Sequence, residues 1–299
     1  MSIPPPKLQL QDRDNATGVS VGLSATFYLP YAHAPLAPVV LQSLERYQRA
    51  VGPQVLTSYA GEDGEWQHLD SRGWAAVRRE MQDAPWANVL LSDASPEAPF
   101  RFEYVRRDRV DGPLESGVGE VSVVTFWLST GFLEQHGPRE ARELMVALAE
   151  PLPFSSGNAG LAFSAALDVS ANVRQVRRAC LRYPGLDVLR PGITSLNIGT
   201  RVRGPSWLTF LGTPVLGQLG GVDALRARLT TPGITVQALE QASAVVTLGE
   251  WPEMGDGEPL PAYRELARVL EPWMLWGEGE SILGLTPEEA RRWERRFLD

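Results

Sequence analysis

Histidine and carboxylate side chains are the first candidates for chemistry in this 299-residue chain. The three histidines, His33, His68 and His136, are far apart, and no two have the i, i+4 spacing of an HExxH zinc motif. This spacing disfavours a metal hydrolase. His136 lies near Glu134 and Glu140, which would suit acid–base catalysis. A solvated histidine at the start of a helix is the favoured interpretation.

Cys180 is the only cysteine, which excludes an intramolecular disulfide and multi-cysteine metal sites. It falls on the apolar stripe of a helix predicted at 171–182, so we expect a buried structural cysteine and not a nucleophile. The chain has no GxSxG, GxxxxGK[ST] or GxGxxG motif. We therefore assign no catalytic residue, and we expect no metal and no cofactor.

Charge is unevenly distributed along the chain, whose net charge is −8. Residues 171–203 contain seven arginines and one aspartate, a local charge of +6. Residues 249–280 contain eight acidic residues and two arginines, a local charge of −6. The net acidity disfavours nonspecific attraction to nucleic acid or anionic membrane and leaves a basic partner open.

Two acidic, turn-rich segments combine carboxylates with a tryptophan, GEDGEW at 61–66 and GEWPEMGDGEPLP at 249–261. Exposed aromatic side chains supply contact area, and carboxylates around them steer a basic partner. Both segments therefore suit protein-binding loops. Composition alone favours the other interpretation, a pair of solvated loops whose tryptophans pack onto the protein body. The candidate contact residues are Glu62, Asp63, Glu65, Glu250, Trp251, Glu253, Asp256 and Glu258.

The elements that position these segments are predicted from hydrophobic periodicity. Strands are predicted at 18–29, 55–60, 87–92, 100–107, 118–128, 160–169, 194–202, 206–211, 233–239 and 243–248. Helices are predicted at 36–51, after Asp70 or Ser71, and at 138–149, 171–182, 222–229, 260–274 and 286–298. Two adjacent strands often precede a helix, which favours antiparallel ladders. We predict an α+β fold of mixed, mainly antiparallel sheets with packed helices.

The domain organisation is predicted from breaks in this pattern. Residues 1–16 are polar and contain prolines, which predicts a flexible N-terminal arm. The segment PLPFSSGN at 151–158 separates a first α+β half, 17–152, from a second, 153–299. The similar order of elements suggests an internal duplication, with one compact domain as the alternative. No signal-peptide pattern and no stretch of about 20 apolar residues occurs, which predicts a cytoplasmic protein without a membrane partner.

The segment GPSWLTFLGTPVLGQLGG at 204–221 resembles the signature of the type VI immunity protein family of bacterial toxin-immunity proteins, formerly a domain of unknown function. The specific part is SWLTFLG at 206–212 followed by LGG at 219–221. Weaker similarity is present in GLAF at 160–163 and in the closing segment 293–297. The motif is apolar and suits a buried strand, because Trp207 and Phe210 can bury large areas.

The resemblance implies a non-enzymatic protein that binds a cognate antibacterial toxin and neutralises it. The acidity suits a toxin that acts in the cytoplasm, such as a nuclease, because carboxylates can mimic phosphates on a basic substrate-binding surface. One alternative is an enzyme with an unrecognised carboxylate-based site. Another is a nucleic-acid-binding module that uses the helix carrying Arg174 to Arg182, although the net charge makes nucleic acid an unfavourable partner.

Overall fold

Ten strands form one continuous antiparallel sheet in the part of the chain that the structure describes. The computed structural model describes residues 18–31, 33–83, 87–93, 95, 98–106, 119–256 and 259–299. The strands are β1 Val19–Leu29, β2 Ser58–Ala60, β3 Trp66–His68, β4 Asn88–Ser92, β5 Arg101–Val105, β6 Ser122–Ser129, β7 Ser156–Ala165, β8 Leu208–Leu211, β9 Ile234–Leu239 and β10 Ser243–Leu248. Their order across the sheet is β3-β2-β4-β5-β6-β1-β7-β8-β10-β9.

Helices connect these strands and cover much of the sheet. They are α1 His33–Val51, α2 Ser71–Asp83, α3 Thr130–Ala149, α4 Ser170–Cys180, α5 Pro191–Thr194, α6 Thr213–Gln218, α7 Gly221–Arg228, α8 Pro261–Leu270, α9 Gly279–Leu283 and α10 Pro287–Glu294. A 3₁₀ turn, Glu271–Trp273, follows α8. The α+β fold with an antiparallel sheet is therefore confirmed.

The centre of the sheet is the long antiparallel pair of β1 and β7. Phe27 of β1 lies opposite Gly157 of β7, where a Cβ atom would come within 2.6 Å of the Phe27 ring. The glycine therefore leaves room for the ring, which packs 5.8 Å from Phe154 and 5.1 Å from Phe210, measured between centroids. Phe27 and Phe210 lie opposite Gly157 on its two neighbouring strands and so share one face of the sheet, and Phe210 of the SWLTFLG motif is part of the main hydrophobic core.

The sheet runs without a break across the predicted boundary at 152–153. β1 and β6 belong to the first predicted half and β7 and β8 to the second, and β1 is hydrogen-bonded to both β6 and β7. The main core also takes buried side chains from both halves, for example Leu128 and Leu161. The predicted arm 1–16 lies outside the described residues.

Most predicted elements are present, with three informative differences. The strand predicted at 194–202 is wrong, because Pro191 at the first helical turn begins the short helix α5 and turns follow it. The helix predicted at 138–149 begins earlier, at Thr130, and is interrupted at Gly137, whose φ is 78°. β3, α6 and α9 were not predicted, because segments of three, six and five residues are too short to show a clear periodicity.

Candidate functional site

The first acidic segment forms the tip of a hairpin made by β2 and β3, here called the β2–β3 hairpin (58–68). The backbone N–H of Gly61 donates to the carbonyl of Glu65 at 2.8 Å, and Asp63 Oδ1 accepts from the Glu65 N–H at 3.1 Å. Gly64 has a φ of 80°, which glycine adopts without steric cost. This turn leaves the predicted residues Glu62, Asp63 and Glu65 exposed together at the tip.

The base of the hairpin is closed by the Leu69 N–H, which donates to the Thr57 carbonyl at 2.7 Å, and a capped helix follows directly. Of the two predicted cap candidates, Asp70 and Ser71, Asp70 accepts from the N–H groups of Arg72 and Gly73 at 2.8 and 2.9 Å. These bonds, led by the one from Gly73, lower the pKa of the Asp70 carboxyl. Trp66 at the start of β3 remains 54% exposed at the edge of the sheet. The hairpin therefore presents three carboxylates and a tryptophan on a fixed base.

The second acidic segment, here called the acidic loop (249–256), follows β10 and packs against the main core. Trp251 and Met254 are partly buried there, and the Met254 carbonyl accepts from the Gly185 N–H at 2.9 Å. Glu250, Glu253 and Asp256 are exposed. Glu258 lies outside the described residues. The aromatic side chain of this loop therefore faces the protein body, while its carboxylates face solvent.

The predicted contact residues fall into two separate groups. The β2–β3 hairpin forms one edge of the sheet, whereas the acidic loop follows β10, next to the strand at the other edge. Eight strand spacings separate β3 from β10, which is roughly 35–40 Å along the sheet at about 4.8 Å per strand. The structure brings together the residues of each group but not the two groups.

The oppositely charged segments found in the sequence are partly paired with each other. Arg182 makes a two-pronged contact with Asp256, with N–O distances of 2.9 and 3.2 Å. Arg177 of α4 contacts Glu289 of α10, which lies outside the acidic segment, at 3.0 Å. Because these arginines already have carboxylate partners, the α4 surface offers less positive charge than its composition suggests.

A buried ion cluster uses further residues of both charged segments. The Arg203 guanidinium contacts Asp187 at 2.6 Å and Glu278 at 3.2 Å, with all three side chains at most 15% exposed. Burial alone would lower the pKa of Arg203, but the charges of Asp187 and Glu278 raise it above its usual value. The Arg203 guanidinium therefore stays charged between two carboxylates. Buried ions that are paired in this way have a structural role.

A large open cleft lies between the hairpin and the segment around α5, and the sequence did not predict it. It has a volume of about 1200 Å³ and includes Trp66, Arg101, Trp127 and Arg190 in its lining. On β5, Arg101 and Glu103 alternate with the buried Phe102 and Tyr104, so they face the cleft while the aromatic residues face the core. We call this feature the sheet cleft.

The floor of the sheet cleft carries a loosely paired buried cation. The Arg101 guanidinium carbon lies 4.5 Å from the centre of the Trp127 ring, a cation–π contact. Its Nε atom is 3.9 Å from Glu103 Oε1 and makes no hydrogen bond. Burial lowers the pKa of Arg101 and raises that of Glu103. The sequence RFEYV correctly indicated a strand with alternating apolar and charged residues, but it did not show that the charged face would line a cleft.

The remaining reactive side chains are placed as structural or solvated groups. Cys180 is buried, and burial raises the pKa of its thiol to about 11, so it stays protonated at neutral pH. His136 lies 3.2 Å from Glu140 and stacks on Phe132. Within the described ranges, no group of three or more His, Cys, Asp or Glu side chains is placed to hold a metal ion.

Comparison with known families identifies the group to which this architecture belongs. The family model TsiV, described as type VI immunity for VRR-NUC, matches residues 39–297. The chain belongs to the TsiV family. The predicted resemblance to type VI immunity proteins is therefore confirmed, and the family match includes the SWLTFLG motif, the β2–β3 hairpin and the acidic loop.

A solved structure shares the fold of this TsiV-family chain. The Pseudomonas aeruginosa T6SS protein PA0821 superposes with a TM-score of 0.75 at 21% sequence identity, covering 94% of this chain and 82% of that one. No curated protein matches the sequence. Among the described residues, no helix is long and apolar enough to cross a membrane.

Proposed function

We propose that this TsiV-family protein binds a cognate VRR-NUC nuclease toxin in the cytoplasm and blocks it stoichiometrically, without catalysing a reaction. The observation that carries this proposal is the family match over residues 39–297, because the family is described as type VI immunity for VRR-NUC. An immunity protein must act on its toxin, and direct binding is the simplest route that an acidic surface supports.

The placement of the reactive groups supports a binding role. The single thiol is buried and protonated, and the buried carboxylates Asp187 and Glu278 are occupied by Arg203. The enzyme alternative would need a carboxylate that is both perturbed and free to act in a cleft. Glu103 is perturbed by burial, but it lies beside Arg101, and among the described residues no second carboxylate or histidine is paired with it.

The exposed carboxylates support the choice of a basic toxin surface. Nucleases hold phosphates with cationic residues, and an inhibitor with clustered carboxylates can occupy the same surface. The hairpin tip carries Glu62, Asp63 and Glu65 within four residues, all exposed. The acidic loop carries Glu250 and Glu253, also exposed, and Asp256, which is exposed but paired with Arg182. Glu258 follows it in the sequence. We propose both groups as toxin contacts.

The direct test is co-expression of this protein with its cognate VRR-NUC toxin, followed by purification of the complex. We expect growth to be rescued, a stable complex to be isolated, and DNA cleavage by the toxin to stop at a molar ratio near one. The immunity protein alone should leave DNA intact. Rescue without any detectable complex would contradict neutralisation by binding.

Charge reversal tests the contact surface. The triple variant Glu62→Lys, Asp63→Lys and Glu65→Lys should weaken toxin binding by about tenfold or more and reduce its dependence on salt, because charge steering is lost. The matched control reverses three exposed acids elsewhere, Glu45, Glu134 and Glu240, and changes the net charge equally. Equal affinities of the two triple variants would remove the hairpin from the interface.

A further inference from the structure

The outer edge of β9, here called the β9 edge, is a surface that the proposed function does not yet use. In the part of the chain that the structure describes, β9 pairs with β10 on one side and with no strand on the other. Its six residues, ITVQAL, include no charged residue and no proline. Native edge strands are commonly protected by such residues, which hinder pairing with another chain. The β9 edge therefore suits the addition of a further strand.

Alternate residues of β9 direct their backbone groups away from β10. In an antiparallel ladder, neighbouring residues point their N–H and C=O groups to opposite sides of the strand. The Leu248 N–H donates at 2.8 Å to the Trp207 carbonyl, just before β8, so the residue opposite Leu248 on β9, Ile234, points outward. By the same alternation, Val236 and Ala238 also point outward, and Ala238 is exposed.

One side chain reaches the β9 edge from α7. Arg226 Nη2 donates to the Val236 carbonyl at 3.0 Å, which agrees with the outward direction of that carbonyl. The Arg226 side chain is 53% exposed, and its other partner, Asp223, is 95% exposed. Exposed contacts of this kind contribute little stability, so an incoming backbone N–H can replace the guanidinium. The residues that border the undescribed segments of the chain all lie outside β9 and α7.

The turn between β9 and β10 fixes the register of the edge strand. Its central residues, Gln241 and Ala242, have φ values of 56° and 53°, as in a type I′ turn, although Asn-Gly is the usual pair there. The Thr213 hydroxyl donates to the Gln241 carbonyl at 3.4 Å, and the Gln241 side chain donates to the Glu150 carbonyl at 3.5 Å. A strand that is already held in place loses little conformational freedom when it pairs with a partner.

An exposed carboxylate stands at one end of the β9 edge. The Gly249 N–H donates to the Gly233 carbonyl at 3.1 Å, so the acidic loop begins directly beside the start of β9, and the exposed Glu250 follows. A basic side chain at that end of an added strand would pair with Glu250. A second copy of this chain fits less well. Two-fold antiparallel pairing would bring the 240–242 turn of that copy to Glu250, and this turn has no basic residue.

We propose that the β9 edge receives a β-strand of the toxin polypeptide, with a basic side chain at the end beside Glu250. The backbone groups of Val236 and Ala238 exchange hydrogen bonds with the added strand, and Arg226 is displaced from the Val236 carbonyl. Main-chain bonds supply affinity in this mode, and the charge pair sets the direction of the strand. This inference rests on the proposed function and deepens it, because it names the kind of toxin segment that is bound.

The variant Ala238→Pro tests the added strand through the backbone. Proline removes one outward N–H and places its ring beside the edge, while the bonds between β9 and β10 are kept. We expect the Kd for the toxin to rise by about 30-fold or more, at low salt and at 0.5 M NaCl alike. The matched control, Ala238→Thr, keeps the N–H and should change the Kd by less than about threefold. Urea titrations show whether both variants fold. Full affinity of a folded Ala238→Pro variant would overturn the inference.

The variant Glu250→Gln tests the charge at the end of the edge. It should raise the Kd by about threefold to tenfold at low salt and hardly at 0.5 M NaCl, because salt screens the attraction to a basic side chain. A Kd that is unchanged at low salt would overturn the pairing of Glu250 with the added strand.

Amide hydrogen exchange followed by NMR examines the wild-type β9 edge without a substitution. In the free protein the amides of Val236 and Ala238 should exchange fast, whereas the Gln237 amide, which points to β10, should be protected. Toxin binding should slow exchange at Val236 and Ala238 by about 30-fold or more. Protection of these two amides in the free monomer, or fast exchange in the toxin complex, would overturn the inference.

Two further outcomes identify a different failure. If the wild-type protein sediments as a dimer and Ala238→Pro sediments as a monomer, a second copy occupies the β9 edge and the inference is overturned. If the wild-type protein does not bind the toxin at all, the proposed function itself fails.

Discussion

The β2–β3 hairpin and the acidic loop have the same ingredients in the sequence and opposite arrangements in the structure. Each contains glycines, one tryptophan and several carboxylates. In the hairpin, Trp66 is exposed at the sheet edge, and no described helix covers it. In the acidic loop, Trp251 packs against the main core and the loop backbone is clamped to Gly185. Composition therefore indicates that a segment is loop-like but not which way its tryptophan faces.

The physical reason for the difference is that the hairpin is stabilised by hydrogen bonds within itself, whereas the acidic loop is stabilised by contacts with another part of the chain. The hairpin closes on itself through the Gly61–Glu65 and Asp63–Glu65 hydrogen bonds, so it needs no other element to hold its tip. The acidic loop has a distant partner in the chain, the 182–185 turn, which supplies both a backbone donor and Arg182. A self-contained turn can present its side chains, whereas a docked loop uses part of them for stability.

The largest expected effect is on the backbone contact between Gly185 and the acidic loop, here called the backbone clamp, in which the Gly185 N–H donates to the Met254 carbonyl. A Cβ atom at Gly185 would lie 1.9 Å from the Glu253 carbonyl oxygen, so Gly185→Ala should push the loop away and cost about 3 kcal/mol of unfolding free energy. At the hairpin, Gly64→Ala meets no atom within 4 Å and pays only for its positive φ, about 1–2 kcal/mol. Urea titrations of both variants measure the difference.

The ranking of these two variants is the decisive readout. Equal losses of unfolding free energy would mean that the loop is no more firmly docked than the hairpin, and the comparison would fail. A normal urea m-value in both variants is the control, because it shows that each unfolds from a native-like state.

The second effect separates the two tryptophans by stability. Trp251→Ala should cost about 2–3 kcal/mol of unfolding free energy, because the side chain packs against the main core. Trp66→Ala should cost less than about 0.5–1 kcal/mol, because the side chain is mostly exposed. Thermal unfolding of the two variants checks this order, and a larger loss for Trp66→Ala would contradict the described exposure.

The fold was predictable wherever a residue pattern is local and long. The alternation over 18–29 and the helical spacing over 36–51 predicted β1 and α1. Asp70 was one of two predicted cap candidates, because the capping signal lies within three residues. The strand predicted at 194–202 failed because its apolar residues are buried by distant segments. Ile198, for instance, forms an isolated bridge with Gly119.

The candidate site was predictable only in part, for the same reason. The exposed carboxylates Glu62, Asp63 and Glu65 follow from local turn chemistry. The sheet cleft depends on which distant residues lie against the Arg101 face of β5, among them residues of α5 about 90 positions later in the chain. No periodicity in RFEYV contains that information, so Arg101 could be placed on a strand but not in a site.

The third prediction concerns pH and the cleft beside the hairpin. Burial raises the pKa of Glu103 above its unfolded value of 4.5, so the folded state holds this proton more tightly. Its stabilising contribution is complete below pH 4.5 and is lost as the pH rises through the raised pKa. Between pH 4 and 7, Glu103→Gln should remove the part of the loss of unfolding free energy that comes from this carboxyl. Urea titrations of both proteins over this pH range would show the difference. Parallel stability curves would contradict the burial of this carboxylate.

The smallest effect is expected at the ion pair that connects the acidic loop to Arg182. Both side chains are more than half exposed, and solvent screens such pairs strongly. Arg182→Ala should therefore lower the melting temperature only slightly at low salt and not measurably at 0.5 M NaCl. Gly185→Ala should keep its full effect at either salt concentration, because a steric overlap is not screened. A large, salt-independent loss in Arg182→Ala would contradict this expectation, because it would show that Arg182 holds the loop by packing, for example on the Tyr183 ring, and not by a screened ion pair.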